Sequence, residues 1–88
     1  MDAIELRKHL NRQPFQPFRI HLSDGAQYDV PHGDFMLVTH REVAVAVGLS
    51  SHDDVPDEMV YCDPYHITRI EPIIGRTKKR STPKSRKN

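Results

Sequence analysis

The run FRIHLSDGAQYDV, residues 18–30, decides the fold. Phe18, Ile20 and Leu22 alternate with Arg19, His21 and Ser23, and beyond Asp24-Gly25 the residues Ala26, Tyr28 and Val30 alternate with Gln27 and Asp29. A period of two is the mark of a strand with one apolar face, and Asp-Gly between two such runs marks a hairpin turn. A two-residue loop would set Ile20 opposite Asp29 and His21 opposite Tyr28, mixing the faces. A three-residue loop, Ser23-Asp24-Gly25 with a left-handed glycine, sets Leu22 against Ala26, Ile20 against Tyr28 and Phe18 against Val30. It also places Arg19 across from Asp29 on the outer face, a favourable opposite-charge pair. The three-residue loop is therefore the predicted register.

Upstream, Asp2 with Glu5 three residues later has the form of a capping box, and Ala3, Leu6 and Leu10 recur at helical spacing. Pro14 ends this short helix, because the residue before a proline is pushed out of the helical region. The connector Pro14-Phe15-Gln16-Pro17-Phe18 has the form of a P-x-x-P ligand. Two aromatics leading into a strand fit better as anchors that fix the helix to a sheet. A Phe15/Phe18 surface for a partner protein is the alternative.

Downstream, Pro31-His32-Gly33-Asp34 is turn chemistry and Phe35 to Thr39 reads as a third strand. Val43, Val45 and Val47 alternate with Ala44 and Ala46 in a fourth that is apolar on both faces, hence central or covered by the helix. Ser50 to Glu58 reads as a polar acidic loop. Strand character resumes from Met59 to Cys62, and Asp63-Pro64 is a cap followed by a proline at the first helical position. One helical turn through Tyr65, His66 and Ile67 then leads into the last strand, Thr68 to Ile74. The outline is α+β and mainly β: an N-terminal helix followed by a five-stranded, strongly bent antiparallel sheet or small barrel.

PFQPFRIHLSDGAQYDVPHGDF (residues 14–35) and DPYHITRIEPI (residues 63–73) together resemble a widespread group of short, uncharacterised bacterial proteins. That group is built on PFxPFxI, LxDG, VxH and a terminal DxxxIxxIE. The resemblance implies a bacterial, cytoplasmic, single-domain protein and carries over no functional residue. More remotely, the order of elements is similar to Sm-like RNA-binding barrels. Nothing after Asp34-Phe35 supplies the polar base-binding side chain of those proteins, so this likeness is one of outline.

Charge divides the chain. Residues 75–88 carry Arg76, Lys78, Lys79, Arg80, Lys84, Arg86 and Lys87 and no acid, a formal +7. The first 74 residues hold the other six bases and all twelve acids, a formal −6. The expected organisation is a helix-plus-barrel domain over 1–74 and a disordered basic tail over 75–88, which has too little apolar surface to fold alone. Those seven side chains are the candidate contacts to nucleic acid or to an acidic protein. With no aromatic residue among them to stack on bases, contact with nucleic acid is expected to be independent of sequence.

Length and cysteine content bound the rest. A body of this size buries only about 60% of its unfolded surface, and the lone Cys62 cannot pair within its chain. Self-association into a homo-oligomer is thus an expected route to stability. The longest apolar run, Val43 to Leu49, falls far short of the roughly 20 residues of a membrane span. A reducing cytoplasm and no membrane partner are expected.

The chemistry-bearing residues are sparse. His9, His21, His32, His40, His52 and His66 never form a close pair, and one cysteine cannot build a thiolate zinc site. His32, His40 and His66 would need folding to converge with a carboxylate. The stretch His52 to Glu58 lacks the ligand spacing of a calcium loop. No nucleophile elbow and no phosphate-cradling glycine loop is present. The expectation is a non-catalytic binding or adaptor module with no metal or cofactor. The alternative is a structural or regulatory subunit that pairs through a sheet edge or the Phe15/Phe18 surface, its tail only solubilising.

Overall fold

The computed structural model describes residues 1–49, 53 and 55–74. The seven basic residues of 76–87 and His52 lie outside the described residues.

Helix α1 spans Ala3–Leu10. Asp2 caps it, its Oδ1 accepting from the Glu5 backbone N–H at 2.9 Å. This satisfies one of the free amides at the helix start. The Glu5 carboxylate lies 3.9 Å from Lys8 Nζ, so the cap is one-sided. Arg7, Lys8 and His9 fill the last turn, where positive charge meets the negative end of the helix dipole. Ala3 and Leu6 are buried. The following connector anchors the helix, as the aromatics predict. Phe18 is 2% exposed, with its ring 5.9 Å from Phe15 and 5.8 Å from His9. Phe18 is core and the half-buried Phe15 packs against it.

Strands β1 (Phe18–Leu22) and β2 (Gln27–Val30) form the predicted hairpin in the predicted register, with Phe18 opposite Val30, Arg19 opposite Asp29 and Ile20 opposite Tyr28. Leu22 N–H donates to Ala26 C=O at 2.9 Å and Gly25 N–H to Leu22 C=O at 3.0 Å. Gly25 holds φ +92°, the left-handed conformation that the three-residue loop demands.

After Pro31 a 3₁₀ turn over Gly33–Phe35 leads to β3 (Met36–Val38). Strand β4 is Val43–Leu49, β5 is Pro56–Cys62, and a 3₁₀ turn over Pro64–His66 precedes β6 (Ile67–Pro72). That turn is capped as expected, Asp63 Oδ1 accepting from Tyr65 N–H at 2.9 Å. Among the described residues the six strands make two antiparallel sheets, ordered β2-β1-β6 and β3-β4-β5. This corrects the expectation of a single five-stranded sheet or closed barrel. Pro31 has no N–H to give, and the 3₁₀ turn interrupts the path from β2 to β3. The ladder therefore does not carry from one sheet into the next. β2 packs against β4 without forming a ladder with it.

The acidic loop is also shorter than predicted, because β5 begins at Pro56 and pairs back to Leu49. Gly48 allows this: at φ +77° it lets β4 run on beneath Asp57. The last strand begins one residue earlier than expected and ends at Pro72. It carries a bulge against His21/Leu22, where Thr68 Oγ1 donates to the His21 carbonyl at 3.1 Å.

The inner faces of both sheets share one core. Phe18, Ile20, Val30 and Ile67 come from the first sheet, Met36, Val38, Val43 and Val45 from the second, and Ala3 and Leu6 from α1. β4 is central in its sheet, as its apolar sequence predicts. Among the described residues no helix is long and apolar enough to cross a membrane.

Candidate functional site

Three surfaces concentrate the chemistry. The first is the outer face of β2-β1-β6, where the pleat lines up Asp29, Arg19 and Glu71 in one row and Gln27, His21 and Arg69 in the next. Arg19 Nε donates to Asp29 Oδ1 at 2.6 Å and its Nη2 to Oδ2 at 3.4 Å. Its Nη1 stands 4.0 Å from Glu71. His21 Nε2 lies 2.8 Å from Glu71 Oε1 and donates to it when it carries the proton. Arg69 Nη2 lies 3.1 Å from the same Nε2 and 3.5 Å from Nδ1. The hydrogen bond from His21 holds the Glu71 carboxyl below its ordinary range, with Arg19 and Arg69 acting in the same direction. The bond and charge of Asp29 push Arg19 further up, against a smaller opposing effect of burial. Two arginines and two carboxylates satisfy one another here. The array orders the sheet surface and leaves little charge uncompensated.

The second surface is a cleft of about 330 Å³ between the β1–β2 turn, β5 and the second 3₁₀ turn, lined in part by Tyr28, Tyr61, Cys62 and His66. Ser23 Oγ sits 3.0 Å from His66 Nδ1. Cys62 is half-buried, and burial, with Asp63 and Asp24 nearby, pushes its thiol up. A thiol held protonated is a poor nucleophile. The residues are adjacent, but their chemistry does not point to a reacting centre.

The third is the outer face of β3-β4-β5. Leu37, Ala44 and Tyr61 form one row across the three strands, and Ala46 pairs with Met59 beside it. Leu37 is 67%, Tyr61 63% and Met59 43% exposed. Large side chains on both flanking strands and alanines on the central one give a ridge, a groove and a ridge.

The histidines singled out in the sequence are dispersed. His9 packs on Phe18 and His32 on Phe35, His66 meets Ser23, and His21 joins the charged array. His40 lies in the exposed turn between β3 and β4. Among the described residues no group of three or more His, Cys, Asp or Glu side chains is placed to hold a metal. Sequence reading missed Glu71 and Arg69 as partners of His21, because the pairing of β6 with β1 joins residues 48 to 50 positions apart. It also missed the exposed Met59 and Tyr61. Their only signal is that positions 59 and 61 share a face once PDEMVYC is taken as a strand. No protein-family model, curated protein or solved structure matches this chain.

Proposed function

We propose that the chain is a non-catalytic binding or adaptor module whose basic C-terminal segment attaches it to a polyanion, nucleic acid first and an acidic protein second. The carrying observation is the charge division, a formal +7 over residues 75–88 against −6 over the body. Cations clustered on a segment with no acids neutralise phosphates, and the released counterions supply sequence-independent affinity. The body supports this reading by leaving the work to the segment: its two solvent-facing arginines on β1 and β6 are already matched by Asp29 and Glu71. Two preparations, the full chain and the chain truncated after Ile74, titrated with random-sequence duplex and single strand test it. Only the full chain binds, and log affinity falls against log salt with a slope of up to about −6 if all seven bases meet duplex phosphates. Equal binding by the truncated chain, or none by either, overturns it.

A second reading has its own observation. β5 is an edge strand that exposes Met59 and Tyr61, which supports a protein-interaction subunit acting through a sheet edge. Here truncation after Ile74 leaves partner capture intact, and Met59→Lys removes it.

A further inference from the structure

Among the described residues four strands sit at sheet edges, β2, β6, β3 and β5, and three of them are short, covered or charged over most of their length. β2 is four residues long and packs against β4. β3 is three residues long. β6 carries Arg69, Glu71 and Pro72, and the Met1 amino group donates to the Ile67 carbonyl at 3.0 Å. Charges, proline, brevity and cover are the usual protections of an edge. β5 is seven residues long; its proline and charges, Pro56, Asp57 and Glu58, lie in its first half, and Met59 to Cys62 carries neither. Met59 and Tyr61 stand exposed on it.

Building on the edge reading above, we infer that β5 is a self-pairing edge: it adds antiparallel to β5 of a second copy about a two-fold axis at Met59, joining two three-stranded sheets into one of six. The register follows from faces and charges. Antiparallel partners share a face, so odd residues oppose odd residues and even oppose even. An axis at Val60 would set Asp57 against Asp63, and an axis at Glu58 would set that residue against itself. Like charges directly opposite are unfavourable. An axis at Tyr61 leaves only three strand residues, Val60 to Cys62, inside the overlap. The axis at Met59 pairs Pro56 with Cys62, Asp57 with Tyr61, Glu58 with Val60 and Met59 with its copy. All seven residues pair and no two acids meet. It also extends the Ala46–Met59 row of the outer face through Met59 and Ala46 of the second copy, and a two-fold contact of this kind closes on itself. A stable dimer buries about 800 Å² per partner. One strand and its two exposed side chains cover less, so the pair is reversible and concentration-dependent.

Sedimentation equilibrium of the full chain, across about a hundredfold range of concentration, reads this directly. The native chain shows a monomer–dimer equilibrium. Met59→Lys, which places two ammonium groups together at the axis, weakens it by about tenfold or more, while circular dichroism and the melting curve show the variant folded. In a Cys62→Ser background, Met59→Cys forms an intermolecular disulfide on mild oxidation, because opposed residues at the axis bring their Cα atoms about 4.5–5.5 Å apart. Leu37→Cys in the same background, on the far strand, does not. A native chain monomeric throughout, or a dimer that Met59→Lys leaves unchanged, overturns the self-pairing. Failure of the wider edge reading is seen separately, in partner capture that Met59→Lys does not alter.

Discussion

A Cβ placed on Gly48 would stand 2.9 Å from the Cβ of Asp57, the residue that lies over it on β5. Gly48 also holds φ +77°. Two penalties therefore fall on any substitution there, a left-handed backbone and a collision. Gly25 holds φ +92° but has nothing within 4 Å of its ideal Cβ, so it meets the first penalty alone. Gly25→Val is expected to cost about 1–2 kcal/mol. Gly48→Val should cost more, because Asp57 cannot retreat without breaking the β4–β5 ladder. Urea midpoints at equal slope check the order, and equal losses at the two positions would refute the close approach.

Arg19 and Asp29 face each other in the predicted register with a 2.6 Å bond, yet their side chains are 36% and 54% exposed. Solvent screening limits such a pair. A double-mutant cycle with Arg19→Gln and Asp29→Asn should give a coupling of about 0.2–1 kcal/mol. It should also shrink in high salt. A coupling near zero would show the pair to be a consequence of the register with no share in its stability.

The hairpin was legible because its information is local. A period of two, one Asp-Gly and one charge pair suffice to choose between two registers, and Gly25 and Arg19–Asp29 stand where that choice puts them. The caps at Asp2 and Asp63 are local as well, each satisfied within three residues. Division into two sheets was not legible, since it turns on whether the ladder survives Pro31 and the 3₁₀ turn at Gly33–Phe35. That is decided by packing between distant strands. The start of β5 was hidden for a related reason. Pro56, Asp57 and Glu58 are poor strand residues by propensity, and pairing with Val47 to Leu49 overrides it. Of the candidate contacts, the seven tail bases are read from sequence alone, whereas the Met59/Tyr61 edge needs the strand order.

Glu71 gives a pH dependence with a definite sign. Its carboxyl is held below its ordinary range chiefly by the hydrogen bond from His21. A carboxyl depressed in the folded state contributes stability that is present above its unfolded value, about 4.3. The contribution is lost as the pH falls through the lower folded value. His21→Ala should raise the Glu71 pKa toward the ordinary value and flatten that part of the acid limb. Carbon-13 NMR titration of the Glu71 carboxyl reads the shift. An unchanged Glu71 would mean that Arg19 and Arg69 hold it unaided.

Cys62 is half-buried on β5 and its thiol is pushed up by burial first, then by Asp63 and Asp24. The thiolate is the reactive form. Alkylation by iodoacetamide at neutral pH should therefore run slower than for an unhindered small thiol, and should rise to the small-thiol rate in denaturing urea. Equal rates folded and unfolded would place the sulfur in an environment more open than the β4–β5 pairing provides.

Leu6 is fully buried at 0% exposure, the deepest point at which α1 enters the core beside Phe18 and Ile20. Replacing such a leucine by alanine removes its transfer free energy and leaves a cavity, about 2–5 kcal/mol in all. A body of this length has a total stability of roughly 4–11 kcal/mol. Leu6→Ala thus takes away a large share of what holds the chain folded, whereas Ile4→Ala, at 63% exposure on the same helix, should shift stability by no more than about 0.5 kcal/mol. The contrast also separates two roles for α1. If Leu6→Ala unfolds the sheets along with the helix, in one transition seen equally by circular dichroism and tyrosine fluorescence, α1 is part of the single core that the two sheets share. If the helix signal is lost while the tyrosines keep their native signal, the sheets stand without it and Leu6 serves only to dock the helix.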